Sequence, residues 1–156
     1  MMDRNDYLAR ARSIIAEHGR MVQYVGAEPG VPSFAYTIGN TSAGLPELLI
    51  FGRFEPQDAM GLLNALSDKM KTAARAFEEG ERPDLGHRFR VAVFEANDDA
   101  KRHHTILVDD VLGLDIDDYR VQQVVCPDPH GVLPWEFGCH AAYRDVPILR
   151  KWRLVS

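Results

Sequence analysis

The chain has 156 residues, 46% hydrophobic and 26% charged, with 23 acidic side chains against 18 basic ones and a net charge of −5. That size and make-up suit a single domain able to bury a core of its own, and the acidic balance excludes a non-specific nucleic-acid binder, which needs a basic face. No apolar run nears the roughly 20 residues that span a bilayer, the start Met1-Met2-Asp3-Arg4 is too polar for a signal peptide, and Cys126 and Cys139 make no disulfide framework, so a cytoplasmic protein without membrane contact is expected.

Tyr7, Leu8, Ala11, Ile14, Ile15 and His18 recur at helical spacing, with Asp3 or Asp6 as cap and Gly19 just past the end. Met21 to Val25 and Phe34 to Ile38 are rich in β-branched and aromatic residues and read as strands, joined by the loop "GAEPGVP". Glu47 to Phe51 is a third strand. Pro56 then marks the first turn of a long helix whose apolar stripe runs through Ala59, Leu63, Leu66, Met70 and Phe77, and Gly80 closes it. Arg88 to Phe94 alternates as a fourth strand.

In "NDDAKRHHTILVDDVLG" the run "TILV" alone resembles a strand, but Asn97 as cap and Gly113 as stop favour one helix. Tyr119 to Val125 forms the fifth strand. Helix, three strands, helix, strand, helix, strand is no βα alternation. It predicts an α+β domain over residues 1–156, with a largely antiparallel sheet of about five strands and two or three packed helices.

The stretch "VVCPDPHGVLPWEFGCH", 124–140, gathers both cysteines, two of six histidines, Asp128 and Trp135. Asp128-Pro129-His130-Gly131 has the residue order of a type I turn, in which the carboxylate serves nearby backbone N–H groups. Trp135 then folds over an edge of the core. The same residues offer two other chemistries. Cys126, Asp128, His130, Cys139 and His140 are zinc-type ligands, though without the short Cys or His pair spacings of known sites. Asp128 and His130 could instead serve as an acid–base pair, or Cys126 as a thiol nucleophile beside His130. Elsewhere, His18 suits a helix C-terminus, His103 and His104 project from different helix faces, and His87 lies in a loop. Arg144, Arg150, Lys151 and Arg153 form a basic tail.

Several ordered blocks carry a resemblance. "EHGRMVQYV", "FAYTIG" followed by "GLPELLIFG", "LLNAL" and "QQVVCPDPHGVLPWEF" together resemble the bacterial family known as domain of unknown function 4262, over nearly the whole chain. Arg20 stands where that resemblance implies an aromatic residue, and Cys126 where relatives carry Trp or another apolar side chain. The second departure weakens a thiolate role. The resemblance lends no activity.

Within its blocks Tyr36, Thr37, Glu47, Gln123 and Trp135 are polar or amphipathic groups near strand ends, and they are the expected ligand contacts. The expected function is a non-catalytic binding or regulatory module, immunity-like in one form. Its partner would be a protein or small molecule, its state monomeric or homodimeric, and no cofactor is expected. The alternative is a small hydrolase-like enzyme using Asp128 and His130 near a cleft.

Overall fold

The computed structural model describes residues 3–52, 54–86 and 90–151. The start of the expected fourth strand at Arg88, His87 and Arg153 lie outside the described residues. The elements are α1 (Arg4–His18), β1 (Met21–Val25), β2 (Phe34–Ile38), a 3-10 turn (Asn40–Ala43), β3 (Glu47–Phe51), α2 (Pro56–Ala73), β4 (Ala92–Glu95), α3 (Asp98–His103), α4 (Ile106–Leu112), a 3-10 turn (Ile116–Asp118), β5 (Val121–Val125) and α5 (Ala141–Arg144). No helix among the described residues is long and apolar enough to cross a membrane.

The architecture is α+β, with one five-stranded sheet in the order β1-β2-β3-β5-β4. Every neighbouring pair is antiparallel except β3 and β5, which run parallel with Glu47 opposite Val121. Alternate residues along the strands point to opposite faces. Phe34, Tyr36, Ile38, Leu49, Phe51 and Val121 face α1 and α4, while Ala35, Leu48, Ile50 and Val124 face Leu63, Leu66 and Met70 of α2. Helices on both sides explain why "FAYTI" and "ELLIF" are buried along their whole length.

Local chemistry sets the element ends. Asp3 caps α1 by accepting from the Asp6 N–H at 2.8 Å, and Gly19 closes it in the left-handed conformation. Four expectations are corrected. α2 stops at Ala73 rather than near Gly80: Ala74 turns left-handed at φ 55°, and Gln122 holds the main chain of Phe77 through Phe77 N–H to Oε1 at 3.3 Å and Nε2 to Phe77 O at 2.7 Å. The helix expected over 97–113 is two, because at the break Thr105 turns its hydroxyl to the Tyr119 hydroxyl at 3.1 Å and the His104 ring sits edge-on to Phe34 and Phe51. The fourth and fifth strands begin later than expected, at Ala92 and Val121.

The link between β2 and β3 is built around a buried carboxylate. Glu47 is fully enclosed. Its Oε1 accepts from the Thr37 hydroxyl at 2.8 Å and the Asn40 N–H at 3.1 Å. Its Oε2 accepts from the N–H groups of Gly39 at 3.2 Å and Thr41 at 2.9 Å, and from the Thr41 hydroxyl at 2.6 Å. Thr37 Oγ1 also accepts the Leu48 N–H at 2.9 Å, and Asn40 Nδ2 reaches Ser67 of α2 at 2.9 Å. Gly39 sits at φ 129°, and a Cβ there would lie 2.6 Å from the Gly19 carbonyl oxygen, so this turn and the end of α1 meet backbone to backbone.

Burial raises the Glu47 pKa, and the hydrogen bonds from Thr41, Thr37 and Gly39 oppose the rise. In Glu47→Gln, whichever position the amide nitrogen takes, it faces at least one backbone N–H. The expected loss is about 2 kcal/mol, the cost of leaving a buried donor unpaired, read from urea unfolding at pH 7.

His104 gives a pH test. Its Nδ1 is buried without a hydrogen-bond partner among the described residues, and burial first, then neighbouring His103, lowers its pKa below 6.5. The unfolded chain therefore binds the proton more readily, and stability falls as pH drops from the unfolded value of 6.5 through the lower folded one. Glu47 acts in the opposite sense, since a raised carboxyl pKa favours the folded state as pH falls. The difference between wild type and His104→Phe isolates the histidine: urea midpoints at pH 7 and pH 5 should show a smaller acid loss in the variant.

Candidate functional site

The loop after β5 is built outward from Asp128. Prolines at 127 and 129 end the strand by removing ladder donors. The Asp128 carboxylate is buried, and its Oδ1 accepts from the N–H groups of His130 and Val132, each at 2.9 Å, while Oδ2 accepts from that of His140 at 2.9 Å. Gly131 N–H closes the turn onto the Asp128 carbonyl at 2.9 Å. The backbone bonds from His140 and Val132, foremost among the causes, hold the Asp128 pKa below the ordinary carboxylate value. His130 is exposed, and it donates to Asp128 through its main-chain N–H.

Farther along, Glu136 accepts the Leu133 N–H at 2.9 Å and braces a second turn. Trp135 leans on Phe94 with ring centroids 5.1 Å apart and stays 50% exposed, which halves the burial expected of it. Phe137 is fully exposed.

The expected ligand contacts do not converge on one cavity. Tyr36 is in the core, where its hydroxyl accepts the Leu107 N–H at 3.3 Å and burial raises its pKa. Thr37 and Glu47 pair with each other at the β2–β3 turn. Gln123, midway along β5, donates to the Pro147 carbonyl at 2.6 Å and accepts from the Leu149 N–H at 2.7 Å. Trp135 lies on the β4 side of the sheet, over Phe94.

The candidate metal ligands divide likewise. Cys139 is buried with its thiol directed at the carbonyls of Val132 and His140, and His140 Nδ1 caps α5 by accepting the Ala142 N–H at 3.2 Å. Among the described residues no three His, Cys, Asp or Glu side chains are grouped to hold a metal ion. Burial pushes the Cys126 thiol up to about 11, so it is protonated at neutral pH.

A cleft does open at the sheet end where parallel β3 and β5 finish together, at Phe51 and Val125. It measures about 570 Å³ between Gln57, Asp58 and Leu62 of α2 and Cys126, Pro127 and Tyr143. A recess of about 160 Å³ adjoins it, formed by Phe51, Phe54, Ala142 and Val146, with Cys126 and Tyr143 lining both spaces. Crevices outside the carboxyl ends of parallel strands are the usual ligand sites of open sheets. A groove of about 630 Å³ under the end of α2 shares no lining residue with segment 126–129, and its Arg75 and Glu81 pair with each other at 3.1 Å.

Sequence reasoning reached Cys126 and Asp128 of the cleft but missed Phe54, Gln57, Asp58 and Tyr143. The helix start directly after a strand at "FEPQD" was the available signal for the first three. Tyr143 had none.

The loop geometry orders a set of variants. Asp128→Ala strips the partner from three backbone N–H groups and should lower the urea midpoint clearly, whereas His130→Ala should leave it unchanged. Trp135→Ala should cost about 1–2 kcal/mol, below the 3–5 typical of a fully buried aromatic, because half the indole already meets water. Equilibrium unfolding of the three variants measures this order.

A family model described as a domain of unknown function, DUF4262, matches residues 14–140. No curated protein and no solved structure matches the chain. The matched span takes in all five strands, the Glu47-centred turn and the loop held by Asp128, ending at His140 just before α5. The chain belongs to the DUF4262 family.

Proposed function

We propose that this chain is a non-catalytic binding module that holds a small ligand in the cleft at the carboxyl ends of β3 and β5. The state of the reactive groups around that cleft carries the reading. Asp128 has its carboxylate engaged by three backbone N–H groups, and the Cys126 thiol is kept protonated by burial. Neither Asp128 as a free base nor Cys126 as a thiolate is supplied there, while concave, largely apolar walls are. On this reading Tyr36, Thr37, Glu47 and Gln123 hold the scaffold. A hydrolase-like role for Asp128 and His130 is disfavoured because the carboxylate holds main chain rather than orienting an imidazole.

A protein partner is the second reading, favoured by fully exposed Phe137 beside half-exposed Trp135 on a braced double turn. A regulatory setting in the bacterial cytoplasm accommodates either.

The test is a titration of isotope-labelled protein with a low-molecular-weight extract of its native host, followed by NMR. Shifts clustered at Phe54, Gln57, Leu62, Cys126 and Tyr143 are expected. No shift in that cluster, or consumption of a compound by the protein, would overturn the reading. If instead a host protein co-purifies and Phe137→Ala releases it, the second reading takes its place.

A further inference from the structure

The recess beside Cys126 restricts ligand chemistry more tightly than the cleft does. Its volume, about 160 Å³, matches one six-membered ring, since an apolar hole of roughly 150 Å³ accepts benzene. Phe51, Phe54 and Tyr143 line it with Ala142, Val146 and Cys126. The described lining residues are uncharged, so none of them would partner a charged group pushed inside. Aromatic walls and a sulfur favour an aromatic ring over an aliphatic one, through edge-to-face and sulfur–ring contacts. The Phe54 ring approaches Gly52 closely, where φ is 148° and a Cβ would stand 2.6 Å from it.

Outside the recess the described walls carry carboxylates. The charged side chains among the described residues lining the wider cleft are Asp58 and Asp128. Asp128 is saturated by the backbone. Asp58, exposed in the first turn of α2, is therefore the carboxylate available to a ligand. Tyr143 borders both spaces, where a ligand reaching from the recess toward Asp58 would pass.

We infer that the site takes a small arylalkylamine, its single uncharged ring in the recess and its ammonium in the cleft beside Asp58. The inference rests on the reading of the cleft as a ligand site and adds the ligand's class.

The probes are phenethylamine, phenylacetate, which exchanges the ammonium for a carboxylate, and butylamine, which lacks the ring. Each is titrated into the labelled full chain. Phenethylamine should give saturable shifts at Phe51, Phe54, Cys126, Tyr143 and Val146, with the other two at least about tenfold weaker. Ala142→Phe, which fills the recess from an exposed position, should weaken phenethylamine at least about tenfold, and Asp58→Asn should weaken it about fivefold, less so in high salt. Ala142→Leu replaces the first variant if that one does not keep the wild-type spectrum.

Phenylacetate or butylamine binding as tightly, or phenethylamine binding that survives recess filling, overturns the inference. If no ring probe binds while the host extract still shifts the cleft residues, the ligand class is wrong and the cleft reading stands. If neither shifts them, both fall.

Discussion

A carboxylate buried without a basic partner must be held by dipoles, and Glu47 is held by three backbone N–H groups and two hydroxyls. Much of the fold follows from meeting that demand. The chain after β2 must turn its N–H groups inward, which places Gly39 where a side chain would collide with the end of α1. Thr37 gives its hydroxyl to Glu47 and takes the Leu48 N–H in return, ending the β2–β3 ladder two pairs short of the strand ends. Asn40 carries the same turn to Ser67, fixing where α2 crosses the sheet. One side chain thereby sets the relative positions of α1, β2, β3 and α2. Replacing such a group by a neutral one loses more than a single bond, because every donor was positioned for it.

The two ends of the sheet have opposite characters for this reason. At the Glu47 end the polar groups are turned inward and satisfied. At the other end β3 and β5 both stop, and the antiparallel hairpin logic that closes the first end does not apply, because the chain leaves β3 for α2 and leaves β5 for the proline-rich loop. Loops diverging from adjacent parallel strands leave a crevice between them. Asp128 keeps that divergence rigid by tying the loop to itself, from Val132 to His140. Its importance is to the shape of the site rather than to any chemistry within it.

Much of this was legible in the residues. β1, β2 and β3 fall where their flanking glycines and prolines put them, because turn residues act locally and leave little room for tertiary override. The Asp128 turn was legible for the same reason. The end of α2 and the break between α3 and α4 were not, since each depends on a partner far along the chain, Gln122 in one case and Tyr119 in the other. Polar residues near strand ends were singled out as ligand contacts. Their side-chain orientation decides whether they serve a ligand or a neighbouring backbone, and spacing alone does not carry it. The aromatic recess was invisible, because Phe51, Phe54, Cys126 and Tyr143 come from separate stretches that meet only once the sheet and α5 are in place.

Gln122 and Gln123 have a bearing on how the chain assembles. Consecutive residues of a strand face opposite sides, so this pair grips Phe77 on one side of the sheet and the 147–149 segment on the other. β5 must find β3 across some seventy residues of intervening sequence, a search of the kind that slows folding and invites misalignment. A slip by one position would turn each amide toward the wrong layer and strand both in apolar surroundings. The two glutamines thus act as a key for strand alignment, penalising the nearest wrong pairing on both faces at once.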